Sequence, residues 1–352
     1  MARYNVKGTP WDLHPGSVDV SDCETAQEVM QKAGLNYTVE KCPLAAKMYI
    51  DTNDIDKVLD DINAGSAFVH GQNIYRDCPN AFSTYRTDKN IPLGIVKGKY
   101  EVVQNTAAFN FFDDAIGKDK AIFQRAGFFG NGEKVFVAVK LPNNIVVKGD
   151  PCDEYLMFTN SHDGSGSVSI LFTPIRVVCK NTLARAIRTA ENYVRFKHTQ
   201  SVHQRILTGK DILGIAEKMR VETATIYNAI ANITVTDDEV QAYIANHFLT
   251  DKDIERVKST DTKLMSIFNR NGYAIQNTEL SMRKVNQMVD CFEYYLDGPG
   301  QREIRGTAWG AYNAITGYYS NVDNMAGEKR TEGLLFGSKA TAMANALEAA
   351  YV

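Results

Sequence analysis

The chain has 352 residues, enough for about two domains of ordinary size. Hydrophobic residues at 44% and charged residues at 23% sit near the averages of folded proteins, which excludes disorder, a collagen-like repeat and an extended coiled coil. The net charge of −3 gives no general attraction to a polyanion. No apolar run reaches the ~18 residues of a membrane span and Met1 to Pro10 has no signal-peptide layout, so a cytoplasmic protein with no membrane partner is expected.

In chain order, Ser21-Asp22-Cys23-Glu24 reads as a capping box that opens a helix to about Ala33, with Gly34 as the residue after its end. An extended stretch follows over Leu35 to Val39. Asn53 to Ile62 reads as a second helix, with Ile55, Val58, Leu59 and Ile62 on one stripe and Asp54, Asp56, Asp60 and Asp61 outside it. From Phe68 to Cys179 the β signal dominates, with strands expected over Leu93 to Val103, Gln124 to Gly130, Glu133 to Lys140, Glu154 to Thr159 and Val168 to Val178. Gly130-Asn131-Gly132 and Asp163-Gly164-Ser165-Gly166 are the hairpin turns, and Thr106 caps a helix inserted between strands. No βαβ period appears, which disfavours a doubly wound sheet.

After Cys179 the pattern is helical, over Thr182 to Val194, Gly209 to Ile230, Asp237 to Phe248, Asp251 to Phe268, Thr278 to Leu296, Thr307 to Tyr319 and Ser338 to Tyr351. Asp297-Gly298-Pro299-Gly300 is a strong break. The expected architecture is therefore α+β: a mostly antiparallel sheet with inserted helices over 1–180, then a mainly helical part over 181–352.

Charge is uneven along this frame. Between positions 176 and 210 stand Arg176, Lys180, Arg185, Arg188, Arg195, Lys197, Arg205 and Lys210 against the single acid Glu191, in a chain otherwise mildly acidic. On a helix from Thr182, Leu183, Ile187, Ala190 and Val194 share one side while Arg185, Arg188 and Arg195 share the other. Arg176 and Lys180 would lie at its start, where backbone N–H groups also favour anions. Phosphate is the natural ligand of such a face, and Tyr193 and Phe196 are placed to stack on bases.

Asn160, His162 and Asp163 form a second candidate, a turn that places an imidazole beside a carboxylate; with Cys179 or His198 they are the residues a hydrolase would use. Gly306 to Tyr319 mixes small residues with aromatics and reads either as a tight helix contact or as an exposed patch around Trp309 and Tyr312. The six cysteines have no CxxC spacing, and there is no HExxH, GxGxxG or P-loop. Free thiols are expected, and no cofactor, metal or catalytic residue is assigned.

Several blocks carry a family resemblance: Leu93-Gly94-Ile95-Val96 with Tyr100 to Asn105, Tyr155 to Ser165, Phe172 to Leu183, Lys197-His198-Thr199, and Gly306 to Tyr312. In these the chain resembles the phage/plasmid-like proteins, a domain-of-unknown-function family of phages, prophages and plasmids. Lys197 departs from the arginine expected before His198-Thr199, which keeps charge but weakens bidentate phosphate geometry. The resemblance implies a mobile-element setting. The layout of a sheet followed by a basic element, without an NTPase motif, is similar to that of single-strand annealing recombinases, which is an analogy of layout alone. The expected function is single-stranded nucleic-acid binding or annealing by a homo-oligomer, in a host cytoplasm if phage-encoded. The alternatives are binding of a host protein or, further off, a His/Asp hydrolase.

Overall fold

The structure, a computed structural model, describes residues 4–49, 55–109, 121–183, 193–199, 209–259, 267–268 and 280–351. Its strands are β1 (Ser17–Asp19), β2 (Val39–Met48), β3 (Ala67–His70), β4 (Asn73–Arg86), β5 (Ile91–Lys97), β6 (Ile122–Phe129), β7 (Lys134–Val147), β8 (Asp150–Ser161), β9 (Val168–Arg176) and β10 (Tyr193–Phe196). The helices are α1 (Ala26–Lys32), α2 (Ile55–Asn63), α3 (Asn105–Phe109), α4 (Gly209–Ala231), α5 (Asp237–Phe248), α6 (Asp251–Ser259), α7 (Met282–Asp297), α8 (Ala308–Gly317), α9 (Gly327–Leu335) and α10 (Ser338–Tyr351). A π-helical turn, Tyr318–Val322, continues α8. Strands thus concentrate in the N-terminal half and helices in the C-terminal half, in an α+β arrangement of antiparallel sheets.

The larger sheet runs β1-β6-β7-β8-β9-β10. Its central strands are covered on both faces, and all nine residues of β9 are buried. Alternation along β7 to β9 sorts the apolar residues. Val135, Val137, Val139, Leu156, Phe158, Ile170 and Phe172 join the main core with Tyr227 of α4 and Trp309 and Tyr312 of α8. Phe136, Ala138, Tyr155, Met157, Leu171 and Ile175 face the other way, under Trp11 and Leu335. The main core draws on residues from Val20 to Leu347, so sheet and helices share it across position 180.

In the smaller sheet, β2-β4-β3 with β5 also on β4, only β5 matches an individually expected strand, although β3 and β4 fall in the stretch from Phe68 where the β signal dominates. β4 contains Pro79 and Asn80, the latter in the left-handed region at φ 58°, and most of its residues are not fully buried, so no alternating apolar signal marks it. β5 ends at Lys97 rather than running on to Val103. Lys41 Nζ donates to the carbonyls of Gly98 (3.0 Å) and Tyr100 (2.7 Å), holding 98–100 as a loop.

Other boundaries moved for local reasons. α1 is capped by Thr25, not Ser21, because Thr25 and Glu28 form their own reciprocal box while Ser21 hydrogen-bonds Asp19. The helix expected over Thr182 to Val194 is overturned at its end: Tyr193–Phe196 is a strand paired antiparallel with β9. Residues 184–192, with Arg185 and Arg188, lie outside the described residues, as do 260–266 at the end of the helix expected from Asp251. The six cysteines are free thiols.

Candidate nucleic-acid interface

The sequence blocks converge on two places, one buried and one open. In the buried one, Arg176 is withdrawn from solvent at 1% exposure, which corrects its placement as a surface phosphate ligand. Its Nε donates to Asp150 Oδ2 (2.5 Å) and its Nη2 to the Gly300 carbonyl (2.7 Å), and Trp309 Nε1 donates to the same Asp150 oxygen (2.9 Å). Burying a guanidinium demands such a partner set. Lys180 takes a left-handed conformation (φ 52°) at the turn that follows, and Asn181 is held by Asn321 (2.9 Å) and Tyr294 (3.1 Å) from the helical side. Trp309 and Tyr312 are 1% and 0% exposed, so they form no surface patch. Gly310 and Gly317 explain the small residues among them: a Cβ on Gly317 would lie 2.0 Å from the Tyr294 ring. The block from Phe172 to Leu183 therefore ties sheet to helices.

The open place is a cleft of about 680 Å³ between the smaller sheet and one end of the larger one. One wall is Ile95 to Lys97 of β5 with Lys99 and Tyr100; the other is Arg195, Lys197, His198 and Thr199, on and beyond β10. Lys134, Thr159, Asn160, Ser161, Phe129 and Phe336 also line the cleft. Five cations, Lys97, Lys99, Lys134, Arg195 and Lys197, line it, and among the described residues no Asp or Glu does. Lys134 reaches Glu332 at 3.2 Å, but that pair is solvent-exposed and weak.

Strand register builds this wall. Arg195 stands opposite Ser169, and Ser169 opposite Thr159, so a polar row crosses β10, β9 and β8 on the face that Tyr155, Met157 and Leu171 occupy farther along. Lys197 continues the direction of Arg195. Tyr100 and His198 stack at 4.5 Å between centroids with their planes 18° apart; Tyr100 donates to the Ser161 carbonyl (2.6 Å), and His198 Nδ1 lies 2.9 Å from the Glu101 carbonyl. The pair fixes one wall to the other.

His162 and Asp163 shape the cleft without forming an acid/base pair. His162 is fully buried and donates through Nε2 to Asn105 Oδ1 (2.9 Å), since Asn105 spends its amide N–H on the Leu35 carbonyl. Burial lowers its pKa to about 3, so the ring is neutral. Burial pushes the Asp163 carboxyl up, but hydrogen bonds from Ser161 and Ser165 outweigh it and hold the group below its ordinary value. The tip they form rests on β5, where the lack of a side chain at Gly94 admits the Asp163 backbone.

Of the residues singled out in the sequence, Arg195, Lys197 and Asn160 meet at the cleft. Arg176 does not, and Phe196 is 8% exposed in the main core, so it is no stacking surface. Tyr193 is on β10. Lys97, Lys99, Lys134 and Tyr100 were missed. No local charge density marks them; only the occurrence of Lys97 and Lys99 between two of the resemblance blocks could have drawn attention there.

A family model described as "Domain of unknown function (DUF932)" matches residues 92–346 of the chain. No curated protein and no solved structure matches it. Among the described residues, no helix is long and apolar enough to cross a membrane.

Proposed function

The chain belongs to the DUF932 family, and for this member we propose single-stranded nucleic-acid binding in the cleft between the two sheets. The observation that carries this reading is the convergence of five cations from three separate segments on one cleft with no carboxylate among its described lining residues. Cations of one sign within a concave, low-dielectric surface focus an attractive potential for polyanions. The volume lies in the range of small-ligand pockets, roughly 300–1,000 Å³, which suits a nucleotide-sized stretch of single strand better than a duplex. Phe336, 38% exposed and among the lining residues, offers an apolar surface to a base.

The activity proposed is binding, with annealing or recombination mediation by an oligomer as its use in a cytoplasmic, mobile-element setting. Burial of Trp309 and Tyr312 removes the feature that favoured docking on a host protein.

The test is anisotropy of a labelled oligonucleotide across a salt series. A strand that runs on past the cleft and meets a separate phosphate at each of the five cations gives a slope of about −3.5 in log K against log salt, from ~0.7 per contact on single strands. Arg195 and Lys197 changed together to Ala should reduce that slope by about 1.4. An unaltered slope in a folded double variant overturns the assignment.

A further inference from the structure

One face of the larger sheet forms the floor of the cleft. Val135, Phe158, Ile170 and Phe196 turn into the main core, so by strand alternation their neighbours Lys134, Thr159, Ser169 and Arg195 turn to the opposite face, and all four line the cleft. Lys134 stands opposite Ser161 in the register, Thr159 opposite Ser169, and Ser169 opposite Arg195. A hydroxyl floor on β8 and β9 is thus flanked by Lys134 on β7 and by Arg195 on β10, which are three inter-strand spacings apart, about 14 Å between backbones. Lys197 follows Arg195, and Lys97 and Lys99 join from the end of β5 and the loop after it. Asp163, at the hairpin tip, spends its carboxylate on Ser161 and Ser165 and does not line the cleft.

We propose that this basin is built for clustered phosphates, the 5′-triphosphate of a free nucleotide or of a strand end, and that such a ligand competes with the interior of a strand for the same cleft. The inference rests on the part of the single-strand reading that places phosphate here, and it names the arrangement of phosphates the cleft fits. An interior stretch of single strand carries one charge per nucleotide, so the nucleotide-sized length that this volume holds meets few of the five cations at a time. Three phosphates on one nucleoside hold their charges close together, and cations arriving from three segments act on all of them at once. Hydroxyls suit this ligand as well, because ionised phosphate oxygens accept hydrogen bonds and a hydroxyl can donate one.

The experiment uses the full chain in the presence of a chelator. Calorimetry compares adenosine, its 5′-monophosphate and its 5′-triphosphate, and the expected result is triphosphate binding at least ten-fold tighter than monophosphate. Anisotropy then compares one oligonucleotide carrying a 5′-hydroxyl or a 5′-triphosphate end: a gain of the same order adds strand ends to the ligands, and no gain assigns the basin to free nucleotide. Equal affinity for mono- and triphosphate, with the oligonucleotide still bound, overturns the inference and leaves the single-strand reading standing. Triphosphate binding without oligonucleotide binding overturns that reading instead, and no binding by any of them overturns both. Variants separate the basin from overall charge. Lys134→Gln and Thr159→Val, the second with no change of charge, should each weaken triphosphate binding by about three-fold or more, whereas Lys57→Gln on the exposed side of α2 should leave it unaltered. A loss as large for Lys57→Gln as for Lys134→Gln, or none in either folded cleft variant, overturns the assignment.

Discussion

Gly94 and Asp163 pass so close that a β-carbon on residue 94 would lie 2.5 Å from the Asp163 backbone. This contact seats the β8–β9 hairpin tip on the smaller sheet, and Thr84 Oγ1 strengthens it by donating to the His162 carbonyl at 2.6 Å. The cleft exists because the two sheets meet here. Backbone atoms cannot yield as a flexible side chain can, so Gly94→Ala must push the tip away. An overpacking cost of about 1–3 kcal/mol is expected, together with weaker oligonucleotide binding by the folded fraction. Denaturant melts and anisotropy check both; unchanged binding would mean the tip does not shape the cleft.

Arg176 carries the opposite expectation. Arg176→Met leaves the buried Asp150 carboxylate with Trp309 but without its counter-charge, and breaking a buried pair in this way costs about 3–5 kcal/mol. The urea midpoint should fall sharply, while affinity per folded molecule stays as it was. A stable variant with lost affinity would return Arg176 to the binding surface.

His162 makes stability depend on acid. Its pKa in the folded chain is about 3 because burial disfavours the charged ring, against an ordinary 6.5, and burial lowers His247 to about 4 in the same sense. Between pH 6.5 and these values the unfolded chain takes up protons that the folded chain refuses, so stability is full above 6.5 and declines as pH falls, by at most about 1.4 kcal/mol per pH unit and group. His162→Gln can keep the hydrogen bond to Asn105. Its stability should fall less steeply with acid than that of the parent, and superimposable profiles would count against the neutral buried ring.

Glu154 acts in the other direction. It is 1% exposed on β8 and its Oε1 has no partner among the described residues, while Arg220 is engaged with Glu217. Burial pushes its pKa up to about 8 from an ordinary 4.5. In that window the folded chain holds a proton the unfolded chain releases, so stability drops as pH rises from 4.5 to 8. Glu154→Gln should be more stable than the parent at pH 8, by no more than about 1.4 kcal/mol for each unit of the window, with the gap closing toward pH 4.5. Thermal melts at the two pH values decide it.

What the sequence determined by itself is local. The α+β class, the strands β6 to β9 and helices such as α4, α5 and α10 follow from apolar periodicity and turn residues, which act over a few positions. The Gly-rich stretch around Trp309 was readable as close packing because small residues permit close approach. The basic concentration after Arg176 was visible as composition, but composition could not say which of its members face water. That was decided by partners far away in the chain: Asp150 and Gly300 draw Arg176 inward, and pairing with β9 turns Tyr193 to Phe196 into a strand that aligns Arg195 with Ser169 and Thr159. Lys97, Lys99 and Lys134 joined the same cleft only because β5 and the start of β7 are carried there by sheet contacts. Electrostatic potential depends on distance in space, and the distances that matter here were fixed by tertiary packing rather than by order along the chain.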